Sequence, residues 1–269
     1  MINSYDHELL TLQSAVRKAG RRVLELARDG FETHLKADQT LVTTADLEVD
    51  RILKETLLSA YPDDSWLSEE SIDDKKRLTN PRVWVLDPID GTTYFSKGIP
   101  QYAISLALVE KGNPAIAVIF NPATNEFFLA VRGKGATLNN HPIQVRSLPG
   151  NKLSILVNPN SLKRKPLRQL AEMADCQPMG SIAYTLALVA GGRADATIHL
   201  GTQNEWDVAA GTLLVQEAGG IVVDKHWNAI RFNKPTPSVP GLIATRTDAQ
   251  PDLQMLLKTV SPDTIPKPG

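Results

Sequence analysis

The chain has 269 residues, a formal net charge of −1, 42% hydrophobic and 22% charged residues, and one cysteine, Cys176. This is enough chain for one large layered domain with an ordinary globular composition, and it excludes disordered and disulfide-scaffold classes. A near-neutral balance supplies no global field, so neither a nucleic-acid polymer nor a membrane is an expected partner.

The N-terminal "MINSYDHELLTLQSAVRKAGRR" has no continuous apolar run. No signal peptide or membrane span is expected, and the cytoplasm is the expected compartment. Residues 6–29 carry leucine and valine at helical spacing and predict an amphipathic helix. "LVTTADLEVDRILKETLLSAYPDD" predicts a second helix, with Thr43 as N-cap and Asp46 in the first turn. "WLSEES" reads as a parallel strand with Glu69 and Glu70 at its exit, one of them serving only as surface charge. Val83–Leu86 predicts a buried strand that Pro88 ends.

Residues 102–110, 115–120 and 126–131 are β-rich runs separated by turn chemistry, an antiparallel meander. The rest alternates: a strand in "LSILVN", helices over 161–175 and 181–191, a strand in "ADATIHL", a helix over 207–217, strands in "IVVD" and "GLIATR", and a last helix from Asp248 to about Val260. Lys163, Arg164 and Lys165 read as a solvated helix start. Cys176 has no basic neighbour to activate it. The expectation is a single domain over 1–269, softly divided near Pro149-Gly150 into halves 1–150 and 151–269.

The chemistry concentrates in "WVLDPIDGTTYF". Asp87 and Asp90 close together would repel, and a divalent cation relieves that repulsion. Oxygen ligands without histidine or cysteine favour Mg²⁺ or Mn²⁺. Gly91 and Thr92 offer N–H groups and a hydroxyl to an anion. Alone, the stretch fits a tight turn with local Asx hydrogen bonds equally well. Asp207 fits a helix N-cap, and Asp46 fits a first-turn acid favoured by the helix dipole.

Together, "SEES", "DPIDGTTYF" and "EWDVAAG…EAGG" resemble the inositol monophosphatase family, over about residues 40–225. These are Mg²⁺-dependent, lithium-sensitive phosphomonoesterases that include bacterial 3'(2'),5'-bisphosphate nucleotidases. The resemblance implies an α/β αβαβα sandwich of the inositol monophosphatase and fructose-1,6-bisphosphatase type. It implies two or three Mg²⁺ ions, with Mn²⁺ able to substitute. Glu69, Asp87, the Ile89 carbonyl, Asp90 and Asp207 would hold metal. Gly91 and Thr92 would cradle phosphate, and Asp46 with Thr92 would orient water. Gly180, Ser181 and Ala183 would line the substrate pocket.

The substrate implied is a small phosphorylated metabolite. Inositol monophosphate and 3'-phosphoadenosine 5'-phosphate rank nearly level, ahead of fructose 1,6-bisphosphate, histidinol phosphate or a non-catalytic homologue. The family's inositol-contacting glutamate is replaced here by His199, one residue displaced, with Glu205 directly before Trp206. Tyr94 stands where asparagine is usual. A homodimer is among the assemblies the resemblance implies.

Overall fold

The structure is a computed structural model that describes residues 5–73, 75–147 and 150–261. The chain opens with α1 (Asp6–Asp29), a hairpin of β1 (Thr33–Leu35) and β2 (Leu41–Thr43), and α2 (Thr44–Ala60). Next come β3 (Ser65–Ser68), β4 (Arg82–Asp90) and the one-turn helix α3 (Thr92–Phe95). The meander is β5 (Ala103–Glu110), β6 (Asn113–Asn121), β7 (Glu126–Val131), β8 (Gly135–Leu138) and β9 (His141–Ile143). The second half carries β10 (Ser154–Val157), α4 (Pro159–Leu162), α5 (Lys165–Met173), β11 (Asp175–Pro178) and α6 (Ile182–Ala190). It ends with β12 (Ala196–His199), β13 (Gln203–Asn204), α7 (Glu205–Glu217), β14 (Gly220–Val223), β15 (Ser238–Val239), β16 (Leu242–Arg246) and α8 (Gln250–Val260).

Two large sheets result. One has seven strands in the order β3-β4-β5-β6-β7-β8-β9, the other five in the order β11-β10-β12-β16-β14. Side-chain alternation along the strands sorts the core into layers. Trp84, Leu86, Leu106 and Val118 face α1 and α2. Val83, Val85, Ala107 and Ile119 face α6 and α7, which also meet Leu242 and Ala244 of the second sheet. Ile155, Val157, Ile198 and Ile243 turn outward onto α5 and α8. The order is α, β, α, β, α, so the expected sandwich is the fold.

α6 shows why its sequence folds this way. Every residue from Ala183 to Ala190 is buried, as a helix enclosed by sheets on two sides must be. α7 lies against it at Gly211, where a Cβ would meet Leu186 side-chain atoms at 2.3 Å. Gly211→Ala is expected to destabilise the protein by about 1–3 kcal/mol through overpacking, read as a lower urea midpoint at unchanged slope.

Several local expectations need correction. β4 does not stop at Pro88: it continues to Asp90 through a register shift, with Asp87 opposite Ser105 and Asp90 opposite Ala103. The extra residue makes a β-bulge, a place that tolerates proline because no ladder N–H is required there. The helix predicted over 161–175 is two helices with a strand beginning at Asp175, because Pro166 restarts the chain at the first turn of α5. Asp207 does not cap α7. Asn204 does, and Asp207 returns the bond from the third position. Pro149 of the predicted boundary lies outside the described residues.

Candidate metal centre and phosphate site

The bulge in β4 sets the site. Asp87 Oδ1 accepts the Ile89 N–H at 3.0 Å, which fixes its carboxylate over the irregular turn of backbone. Gly91 follows with φ +97, a left-handed conformation that glycine adopts without strain. A Cβ there would also meet the Gln101 carbonyl oxygen at 2.7 Å. The chain then enters α3, and Gly91 and Thr92 both line the cavity.

Asp90 of the same strand and carboxylates from three other elements converge on this turn. Ligand atoms of Glu69, Asp87 and Asp207 all lie within 4.8 Å of one another. Glu69 leaves the end of β3, which runs parallel to β4. Asp207 is held by its capping box, its Oδ2 accepting the Asn204 N–H at 3.0 Å. Asp90 points towards α6, where the Ser181 hydroxyl donates to it at 2.6 Å and the Ala183 N–H also donates. Asp46 lies behind: its Oδ2 accepts the Thr43 N–H and hydroxyl at 2.8 and 2.6 Å. Its Oδ1 is 3.0 Å from Thr92 Oγ1, which is also 2.9 Å from the Ile89 carbonyl oxygen.

The electrostatics are those of a cluster short of positive charge. Burial, then repulsion from Glu69, raises the Asp87 carboxyl well above its ordinary range. Burial and then Asp90 do the same to Asp207. Asp90 is pushed up to about 6 by burial, against the pull of Ser181 and Ala183. Hard oxygen donors with no histidine or cysteine among them suit Mg²⁺ or Mn²⁺ and not Zn²⁺. The donor set therefore fits the expected cofactor.

Sequence reading missed one cation here. Lys36, between β1 and β2, donates from Nζ to Glu69 Oε1 at 2.8 Å and to Glu70 Oε1 at 2.6 Å. Glu70 is thus not surface charge: its side chain is 7% exposed, and burial pushes it up to about 7. No local pattern announces Lys36, because the contact spans more than thirty residues.

The cavity over this cluster measures about 710 Å³ and is lined by Glu69, Asp87, Ile89, Asp90, Gly91, Thr92, Gly180 and Asp207. Four predicted substrate residues fall elsewhere. Ser181 and Ala183 support Asp90 from the N-terminus of α6. His199 is buried at the end of β12, its Nε2 3.1 Å from Thr197 Oγ1, and does not line the cavity. Glu205 is fully buried and accepts the N–H groups of Asn233 and Lys234 at 2.6 and 3.2 Å. Both side chains turn away from the cavity because their hydrogen-bond partners, not their distance from Trp206, decide their direction.

His199 carries a pH prediction. Burial lowers its pKa from 6.5 to about 4. A neutral imidazole is therefore favoured in the fold, and its contribution is complete above pH 6.5 and lost as pH falls towards 4. The loss is of order 3 kcal/mol. The acidic cluster has raised values and works in the opposite direction. The measurement is thus the difference between wild type and His199→Asn in unfolding free energy across that window, where the variant should lose about one proton of pH dependence.

A model of the inositol monophosphatase family matches residues 5–261. The chain belongs to the inositol monophosphatase family. Among curated relatives, Nus factor SuhB of Xylella fastidiosa is 37% identical over 256 residues, 90% of this chain and 91% of that one. Nus factor SuhB of Escherichia coli K12 is 36% identical over 233 residues, 81% and 85% of the two chains. Among solved structures, the extragenic suppressor protein suhB of Bartonella henselae superposes with a TM-score of 0.82 at 30% identity, over 94% of this chain and 99% of that one. An IMPase of Thermotoga maritima gives 0.83 at 27% identity, over 96% and 99%.

These family relatives correct one expectation. Curated members this similar are named as Nus factors, a term from transcription, so the exclusion of nucleic acid as a partner does not stand. Net charge reports the field of the whole surface. It says nothing about a local patch or about contact made through another protein. No helix among the described residues is long and apolar enough to cross a membrane.

Proposed function

We propose that the chain is a Mg²⁺-dependent phosphomonoesterase that hydrolyses a small phosphorylated metabolite by attack of water. The observation that carries this reading is the convergence of Glu69, Asp87 and Asp207 within 4.8 Å beside the Gly91–Thr92 turn. Those three, with Asp90 and the Ile89 carbonyl, would hold the cations. When bound, divalent cations polarise phosphoryl oxygens and acidify a coordinated water.

The chain's own residues do the rest. The Gly91 and Thr92 N–H groups hold the phosphate in the cavity. The Thr92 hydroxyl accepts a hydrogen bond from the attacking water and relays it to Asp46 Oδ1, 3.0 Å away. The capping box at Thr43 keeps that carboxylate in place. Such positioning supplies most of what in-line phosphoryl transfer needs from a protein.

The test is phosphate release with Mg²⁺ from inositol 1-phosphate, 3'-phosphoadenosine 5'-phosphate, fructose 1,6-bisphosphate and histidinol phosphate, with Li⁺ and Asp87→Asn as controls. Release from none of the four would overturn the reading. A second reading rests on the relatives' names: a role in transcription that those proteins share with this one. It is compatible with hydrolysis, since Asp46, Glu69, Asp87, Asp90, Thr92 and Asp207 are all present. Copurification with the host's RNA polymerase, retained in Asp87→Asn, would support it; no copurification would remove it.

A further inference from the structure

A second cavity, of about 310 Å³, lies at the opposite end of α7 from the acidic cluster. β4 reaches the cluster at Asp87 and Asp90. Its other end pairs Arg82 with Glu110, and Glu110 pairs in turn with Asn113 on the wall of this cavity. α7 spans the distance: Asp207 stands in its first turn, while Thr212, Leu213, Gln216 and Glu217 form one side of the cavity. The hydrolytic reading makes no use of this space.

Its polar groups are unusual. Thr212 is 2% exposed, and its buried hydroxyl has no hydrogen-bond partner. A helical threonine commonly bonds the carbonyl four residues back, and this one does not. Buried hydroxyls without partners are rare, because each has given up its hydration for nothing. Two guanidinium groups are anchored on one residue of the wall, Asn113. Arg132 donates from Nη2 to the Asn113 carbonyl at 2.8 Å and from Nε to the Pro114 carbonyl at 3.0 Å. Arg231 donates from Nη1 to Asn113 Oδ1 at 2.9 Å. All these acceptors are neutral, and neither guanidinium has a carboxylate partner among the described residues. The carboxylate of the wall, Glu217, is already turned to the Gly133 and Gly135 N–H groups at 2.8 Å each.

Cations fixed by neutral acceptors favour an anion, and the planar guanidinium fork matches a carboxylate. Leu213, Ile230 and Phe232 give the same cavity an apolar wall, and Phe232 is held there by its N–H bond to the Gly112 carbonyl at 3.1 Å. The volume is at the small end of the range for ligand pockets. We propose that this cavity binds a small monocarboxylic acid with an apolar body. The carboxylate meets the guanidinium groups of Arg132 and Arg231, the body lies on Leu213, Ile230 and Phe232, and the Thr212 hydroxyl gains the partner it lacks. Such a site is independent of the phosphate site and shares with it only the helix that carries Asp207.

The experiment uses the full chain in buffer free of divalent cations, where the acidic cluster repels anions. Butanoate, 4-methylpentanoate and 3-phenylpropanoate are each compared with the neutral amide of the same skeleton, by ligand-observed NMR and calorimetry. At least one acid should bind saturably, and its amide at least ten-fold more weakly. Arg231→Gln and Thr212→Val should each weaken that acid by about five-fold, and Arg168→Gln on α5 should leave it unchanged. Arg231 is exposed and valine keeps the shape of threonine, so both variants should fold, as an unchanged circular dichroism spectrum will show. No saturable binding of any acid, the result for a cavity that holds water only, would overturn the proposal. Equal affinity for acid and amide, or affinity indifferent to both substitutions, would overturn it too.

Discussion

Asp87→Asn should reduce Mg²⁺-dependent phosphate release by about a thousand-fold or more, and at the same time raise the melting temperature of the protein stripped of divalent cations. Both effects have one cause. Asp87 is 2% exposed and faces Glu69, Asp90 and Asp207, whose repulsion adds to the cost of burying its own charge. Asparagine keeps the shape and the hydrogen bond from the Ile89 N–H while removing that repulsion. The charge that destabilises the metal-free fold is the one that would hold the cations, a trade between stability and function common at active sites. Calorimetry with and without Mg²⁺ reads both sides. Wild type should gain stability on adding Mg²⁺, and Asp87→Asn should gain much less. A metal-free variant no more stable than wild type would contradict the electrostatic account, and full activity would remove the site.

The second large effect lies outside the cavity. Arg77→Met should destabilise the protein by about 3 kcal/mol, lowering the melting temperature by roughly 6–12 °C. Arg77 is 1% exposed. Its guanidinium donates to both Asp73 oxygens at 3.0 and 2.8 Å, to Asn233 Oδ1 at 2.7 Å and to the Lys234 carbonyl at 3.1 Å. Methionine fills much of the volume but leaves Asp73 with only the exposed Lys75 as a cationic partner, at 2.7 Å. The Asp73 carboxyl is held well below the ordinary range, chiefly by Arg77. Its contribution is therefore present above the unfolded-state pKa near 4 and fades as the pH falls below that. The double variant Arg77→Met with Asp73→Asn should recover part of the loss, which a double-mutant cycle measures. Because Asn233 and Lys234 also hold Glu205 at the start of α7, a modest fall in turnover should accompany the loss of stability.

What could be read from the sequence follows the range of the interactions. The Thr43–Asp46 capping box, the buried strand before Asp87 and the Gly91 turn are all set by residues within a few positions of one another, and the structure contains each of them. Pro88 was misjudged because a bulge supplies the exception to the rule that proline ends a central strand. Lys36 reaches Glu69 and Glu70 through packing of distant segments, so no local pattern marks it. His199 and Glu205 show the reverse error. Their spacing to Trp206 suggests a role, but spacing along a chain does not fix direction once Thr197 on one side and Asn233 on the other provide better partners.

The support of Asp90 by Ser181 and Ala183 spans more than ninety residues of chain. With Asp207 drawn from α7, it makes the acidic cluster depend on segments far apart in the chain. A ribosome must therefore release the chain through α7 before this cluster can exist. An interrupted or prematurely terminated product would carry Asp46, Glu69, Asp87 and Asp90 without the partners that complete them. Competence of the site is thus a report that synthesis has run past α7.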